Sequence, residues 1–427
     1  MSFPNWLATG SSPGRRPRSS RSGASSGLFS VASRRARAIA LVVLVPVLAL
    51  SVLSSVGSAT TLQHAKTPAH AQYEPMSYFQ AQVAKYESLS SMGSAPSTAP
   101  PHKSGVNIWT ISCGQESAGC SGPSAATVQA GALLGWHVKV CDGNFGIADA
   151  YDTCIRQAIA AGAQGVITIG ISCNQAHASM LELKAKHIPL VGVGGFDCSN
   201  HFGYVSPNKV FTSDFEYSPV APNSALLNEA NGRAVADWLV VHFGGHVSAI
   251  DTVFSLIPAL YANVGFTSEL AKCQGCHIVD TIDYTPPDTS NGNLKNEFAA
   301  ALAKYPTANA AFNFTDAIVD QDNFIQSIDS VGREHSMCLV STQDDAGAVN
   351  DEDIASGNAQ CADAGLENSW QGFGVVDEML RALDGQPPVL EGNGPLLIVK
   401  GHNLGTVGQP WAYPYNVIAA YKKAWGI

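Results

Sequence analysis

From Val106 onward, short apolar runs alternate with longer stretches in which apolar positions recur every three or four residues. Gly165–Ile171 and Ile188–Val193 are continuously apolar and rich in β-branched residues, the pattern of strands buried on both faces. Between them, Asn174–His187 places Ala176, Met180, Leu181 and Leu183 at helical spacing. It ends on Lys184 and Lys186, cations that suit the negative end of a helix dipole. Strand, helix and strand within about 30 residues predict a βαβ unit and a parallel strand pair.

The same alternation predicts strands over Val106–Cys113 and Trp136–Cys141, with helices over Ser124–Leu134 and Ala148–Ala161. Phe202–Asn208 is expected as the exit strand of a first lobe, followed by a long helix over Asn223–Phe243. The pattern then restarts. Strands are expected at Ser248–Ser255, His277–Tyr284, Ala310–Phe314 and Cys338–Ser341, and helices at Val264–Lys272, Leu294–Lys304 and Ile318–Val331. The fold class expected is α/β, with two doubly wound parallel-sheet lobes about a hinge. Residues 106–221 with about 366–395 form lobe one and 222–365 form lobe two, while 396–427 is a hinge segment and tail. Ligands of such sheets bind outside the carboxyl ends of the strands.

The chain before Val106 has no such period. Residues 1–36 are rich in Ser, Arg and Gly and are expected to be disordered. Ile39–Leu53 is an uncharged apolar run behind Arg34, Arg35 and Arg37 and ahead of Gly57-Ser58-Ala59, so 37–59 reads as an export signal. Extended to Val56, it approaches the length of a bilayer span, which leaves cleavage and anchoring both open. Within 60–105, Tyr73–Met92 is amphipathic through Tyr78, Phe79, Val83 and Tyr86, and Gly93–Gly105 is a Pro/Ser linker. The pair reads as a stalk, or as an arm packed on a lobe.

Charge narrows the function. The segment before Thr60 holds seven arginines and no acid; removing those seven from the 24 basic residues leaves 17 against 34 acidic, a formal charge of −17. A body that acidic repels phosphate backbones, and nucleic acid is not expected as a partner.

Ten cysteines, all after the export signal, point to disulfides. Neighbours in chain order give Cys113–Cys120, Cys141–Cys154, Cys173–Cys198, Cys273–Cys276 and Cys338–Cys361. Cys273-Gln274-Gly275-Cys276 follows a helix instead of opening one, so it lacks the dipole that activates a redox thiol. Only His277 stands beside it, too few ligands for zinc, and no metal is expected.

Particular stretches resemble a known family. Ala161–Gly170 (A-G-A-Q-G-V-I-T-I-G) and Lys184–Val191 (K-A-K-H-I-P-L-V) look like the third and fourth strands of type I periplasmic binding proteins, the fold of ribose-binding proteins and the lactose-repressor core. Later markers keep the family's order: Ala262–Phe266 (A-N-V-G-F), Phe312–Ala317 (F-N-F-T-D-A), Leu339–Asp345 (L-V-S-T-Q-D-D) and Gly372–Gly385 (G-F-G-V-V-D-E-M-L-R-A-L-D-G). The resemblance implies an exported monomer that closes two lobes on a small polar ligand, sugar- or polyol-like, for the membrane subunits of an ABC importer. It implies no cofactor.

The expected ligand contacts follow. Gln115, Glu116 and Ser117 close the first strand, where carboxylate and amide groups suit hydroxyls that are donor and acceptor at once. Asp197 and Asp344 end strands in opposite lobes. Tyr261, Tyr284 and Trp370 are either ring platforms or core. Ala262 or Asn263 stands where the family has arginine, Thr315 stands beside Asp316 where it often has asparagine, and its strand-end aspartate aligns with Gln343 or Asp344. Such a site suits a neutral polyol, a nucleoside or an amine. There is no G-x-S-x-G elbow and no G-x-x-x-x-G-K phosphate loop. Two rivals remain: an anchored ligand sensor, and a glycoside hydrolase using Asp197 and Asp344.

Overall fold

The computed structural model describes residues 73–343, 348–365, 367–407 and 415–427. The segment expected to be an export signal, residues 60–72 and Asp344 lie outside the described residues.

Lobe one is built from β1 (Asn107–Ser112), α2 (Ala118–Leu133), β2 (His137–Asp142), α3 (Ala150–Ala160), β3 (Gly165–Ile169), α4 (Cys173–Ala185), β4 (Leu190–Val193) and β5 (Ser213–Asp214). An earlier helix, α1 (Met76–Glu87), precedes them. The five strands are all parallel, in the order β2-β1-β3-β4-β5. Side chains alternate across the sheet with period two, so each strand feeds two cores. In β1, Ile108 joins the cluster containing Ala126 and Ala130 of α2, while Trp109 and Ile111 join Ile155 of α3 and Met180 of α4. Every residue of β3 and β4 is buried, as their unbroken apolar runs require.

Lobe two contains α5 (Ser224–His242), β6 (Ser248–Phe254), α6 (Ile257–Leu270), β7 (His277–Tyr284), α7 (Pro286–Ser290), α8 (Asn293–Lys304), β8 (Ala310–Phe312), α9 (Asp316–Gln321), α10 (Phe324–Ser330), β9 (Cys338–Thr342), α11 (Ala348–Ser356) and β10 (Gln360–Gly365). Its strand order is β11-β10-β9-β8-β6-β7, and only β11 (Leu396–Val399) is antiparallel to its neighbour. Helices α5 and α6 pack backbone to backbone. A Cβ on Gly232 would fall 2.0 Å from the Ala262 carbonyl oxygen, and one on Gly265 2.1 Å from that of Glu229.

The chain passes between lobes at 215–223, after β10, and again at 384–395. After β10, α12 (Asn368–Leu383) packs on α2 and the β3–β4 side of lobe one, and α13 (Val417–Trp425) lies on α12. The first and last crossings run side by side: the Glu391 N–H donates to the Glu216 carbonyl at 2.8 Å, and that of Gly392 to Tyr217 at 2.6 Å.

Three expectations need correction. Phe202–Asn208 is not a strand; the pairing residues are Ser213 and Asp214. The intervening loop is held by the Cys173–Cys198 disulfide and by Asp197, so it needs no ladder. The helix expected over Ile318–Val331 is two, α9 and α10, because Asn323 between them takes a left-handed φ of 54°. The helix expected from Val264 begins at Ile257, with Pro258 in its first turn, where proline's fixed φ is compatible.

Within the segment read as a stalk or a packed arm, the described residues from Tyr73 onward include a helix that packs on the body. Phe79, Val83 and Tyr86 of α1 are buried, and α1 lies on α5 and β11. Among the described residues, no helix is long and apolar enough to cross a membrane.

Candidate functional site

In lobe one, β1 ends in Cys113-Gly114-Gln115-Glu116, leading into α2. Gln115 and Glu116 are exposed, Ser117 caps α2, and the Cys113–Cys120 disulfide ties strand end to helix. Asp142, ending β2, accepts from the backbone N–H of Gln115 at 3.0 Å and of Asn144 at 2.9 Å. That ion fixes an unusual loop: Asn144, Phe145, Ala148 and Asp149 all take positive φ, a conformation costly for residues other than glycine. The tip of the Phe145 ring abuts Gly114, where a Cβ would fall 2.5 Å from Cζ, and Phe145 is 43% exposed. Sequence reasoning passed over Phe145. The Asp142-Gly143-Asn144 turn at a strand end was its available signal.

At the end of β4, Asp197 is buried and its Oδ1 accepts from the N–H groups of Cys198 at 2.7 Å and Val210 at 2.9 Å. One oxygen is therefore committed to holding its own loop. Asp214, ending β5, was also passed over; burial first, and then Asp197, push its carboxyl up to about 6.

This loop reaches the other lobe. Tyr261 of α6 stacks on Phe196, centroids 5.3 Å apart, and meets Phe202 edge-on at 4.8 Å. Asn200 Nδ2 donates to the Tyr261 hydroxyl at 3.0 Å. A Cβ on Gly203 would fall 2.2 Å from Ile257 Cδ1. Segments that follow β4 in one sheet and β6 in the other are thus in direct contact. In open parallel sheets, ligands bind outside such strand ends.

In lobe two, Asn263 does not face outward as a ligand amide. Its Nδ2 donates to both oxygens of buried Asp251, at 2.9 and 2.8 Å. Desolvation pushes Asp251 up to about 7, and the Asn263 bond opposes this. Tyr284 is buried, stacked on Phe254 at 4.6 Å, with its hydroxyl donating to Asn313 Oδ1 at 3.2 Å. Asn313 Nδ2 donates in turn to Thr252, and its Oδ1 accepts from the Thr315 N–H at 3.1 Å. This buried network aims the end of β8, where Thr315 caps α9 and Asp316 opens it. Gln343, ending β9, takes a φ of 63° and its Nε2 donates to Asn228 of α5 at 2.9 Å.

Trp370 is fully buried. Its indole stacks on Tyr415 at 5.0 Å and its N–H donates to the Glu391 carbonyl. Burial makes Trp370 and Tyr284 core residues, not ring platforms. The structure thus groups Gln115, Glu116 and Ser117 at one strand end of lobe one, and Thr315, Asp316 and Gln343 at two strand ends of lobe two. Asp197 and Tyr261 meet through the 196–203 loop.

All ten cysteines are paired as Cys113–Cys120, Cys141–Cys154, Cys173–Cys198, Cys273–Cys276 and Cys338–Cys361. Cys173, Cys198 and His177 stand close enough to hold an ion, but both sulfurs are spent in their disulfide.

No family model matches the chain, and no curated protein matches it. Solved structures do. A solute binding protein of an ABC transporter from Agrobacterium vitis, with bound allitol, is 14% identical, with 70% of this chain and 97% of that chain covered at a TM-score of 0.57. The arabinose transporter binding protein of Shewanella sp. ANA-3 is 16% identical, covering 75% of this chain and 95% of that one, with a TM-score of 0.55. A 5-methylthioribose transporter solute binding protein from Thermotoga lettingae is 16% identical, with coverage of 76% and 99% and a TM-score of 0.55. The two parallel-sheet lobes and their paired crossings are the fold of the type I periplasmic binding proteins.

Proposed function

We propose that the protein is an exported solute receptor that closes its two lobes on a small polar ligand, sugar- or polyol-like, and presents it to an ABC importer. The observation that carries this reading is the contact of Phe196 and Asn200 with Tyr261, which joins the segments beyond the strand ends of both sheets. Bound allitol, arabinofuranose and 5-methylthioribose in proteins of the same fold support a polyhydroxylated ligand.

The groups assigned to the ligand are Gln115, Glu116 and Ser117 from lobe one and Thr315, Asp316, Gln343 and Asp344 from lobe two. Carboxylates and amides accept from and donate to hydroxyls, and closure excludes water, which strengthens each bond. Export rests on the apolar segment behind Arg34, Arg35 and Arg37. Binding is favoured over glycoside hydrolysis because Asp197 Oδ1 is already bonded to two backbone N–H groups, a poor posture for an acid or base.

A thermal-shift screen of the purified chain against sugars, polyols, nucleosides and amines tests this. Ligand at 100 times its Kd adds about 2.7 kcal/mol of stability, a plain rise in Tm. A rise confined to polyhydroxylated compounds that are recovered unchanged supports the reading. A folded protein shifted by none of them sinks it, and turnover of a glycoside moves the assignment to the hydrolase.

A further inference from the structure

The N-terminal arm touches both lobes. On lobe two, α1 buries Phe79, Val83 and Tyr86 against α5. The arm then crosses beside the last interlobe passage: Gly93 N–H donates to the Gly392 carbonyl at 2.6 Å, and Ser91 Oγ to that of Pro395 at 2.6 Å. On lobe one, Arg381 donates to the Thr98 carbonyl at 2.7 Å, Trp136 Nε1 to Lys103 at 2.8 Å, and Gly105 to Gly135 at 2.7 Å.

Beneath α1 lies an acid pair. Asp237 of α5 and Glu269 of α6 are each 1% exposed, and the Glu269 carboxylate acts on that of Asp237. Neither Asp237 oxygen has a donor among the described residues. Two carboxylates are acceptors only, so a proton is the one thing that can bond them. From α1, the Tyr78 hydroxyl donates to Glu269 Oε1 at 2.8 Å, and Tyr86 reaches Arg233. Lys272 of α6 bonds both Glu269 and Tyr78, while Arg233 of α5 is shared with Glu229. Three carboxylates, Glu229, Asp237 and Glu269, thus face two cations, Arg233 and Lys272. One proton balances them.

We propose that the arm is a proton-dependent strap: residues 76–105 bind both lobes beside the interlobe crossings, and a proton held between Asp237 and Glu269 fastens α1 to lobe two. Desolvation first, then Glu269, push the Asp237 carboxyl up to about 9, with Lys272 and Arg233 opposing. Release of α1 uncovers Asp237 and returns its carboxyl toward the ordinary range. The docked form then holds the proton more tightly than the released form. Docking is therefore complete at acid pH and weakens by up to about tenfold per pH unit as pH rises toward about 9.

Hydrogen exchange of the full chain in detergent micelles reads this directly. Exchange of the Met76–Glu87 amides is corrected for intrinsic rates and referred to α8, which contacts neither acid. Between pH 6 and 8.5 the opening constant of α1 should rise at least tenfold, while Asp237→Asn should hold it constant. An α1 opening that tracks α8 in the natural chain, or keeps its pH dependence in Asp237→Asn, overturns the clasp. Should Asp237→Asn fail to fold, Glu269→Gln makes the same comparison, and the natural chain's own profile remains decisive. The strap is read separately. Phe79→Glu detaches α1 at every pH and should enlarge the ligand-free radius of gyration beyond what a frayed helix adds. A lobe separation unchanged by scattering overturns it.

Discussion

Tyr261 of the second lobe stacks on Phe196 of the first, ring centroids 5.3 Å apart and planes 23° from parallel. Aromatic pairs contribute about 0.5–1.5 kcal/mol beyond the area they bury. Tyr261→Ala should shift the lobes toward separation by a factor of about 2 to 13, read as a larger ligand-free radius of gyration in small-angle scattering. An unchanged scattering profile would show that the crossings alone set the lobe angle.

Asp251 gives stability a pH slope. Its folded-state affinity for the proton is raised to about 7, so ionisation is resisted by the fold. The stability it permits is complete at acid pH. It falls as pH rises from about 4 to about 7, by at most about 1.4 kcal/mol per unit, and then levels. Asp251→Asn should flatten that slope in urea titrations at pH 5 and 7. An identical slope in the variant would exclude Asp251 as its source.

Gly232 and Gly265 let α5 and α6 touch through their backbones. Gly265→Val should cost about 1–3 kcal/mol or more through overpacking, lowering Tm by several degrees. Val264→Ala, at an exposed neighbour, is the control and should leave Tm nearly unchanged.

The Cys173–Cys198 bridge spans 25 residues and anchors the loop that carries Phe196 and Asn200. Replacing both cysteines by serine should cost about 3 kcal/mol in denaturant titration. It should also raise ligand Kd, because the loop loses its seat. A stability loss with unaltered affinity would place the loop outside the site.

The lobes were legible where periodicity is long. β7 spans His277–Tyr284 as expected, and β3 and α4 lie within two residues of the expected bounds, because continuous apolar runs and helical spacing are local signals. β5 was not legible: two residues carry no period, and its place depends on Asp197 and a disulfide. The site was half legible. Glu116, Thr315 and Gln343 stand at strand ends that the pattern marks, yet Asn263 turns inward to an aspartate twelve residues earlier. Trp370 and Tyr284 have the composition of platforms and the burial of core, a distinction only tertiary contacts make. Phe145 owes its exposure to a run of left-handed residues that no apolar pattern announces.

Each sheet has two outer strands, β2 and β5 in one and β11 and β7 in the other, of which β2 and β7 are the longer. Such strands invite copies of the chain to add on, rung by rung, into aggregates. Here β2 presents Lys139, drawn over Trp109 at 4.1 Å, together with Asp142, and β7 presents Asp280 and Asp283. Charges at each rim make stacking of one molecule on the next repulsive or poorly solvated. Four charged side chains thereby guard β2 and β7 against edge-to-edge growth.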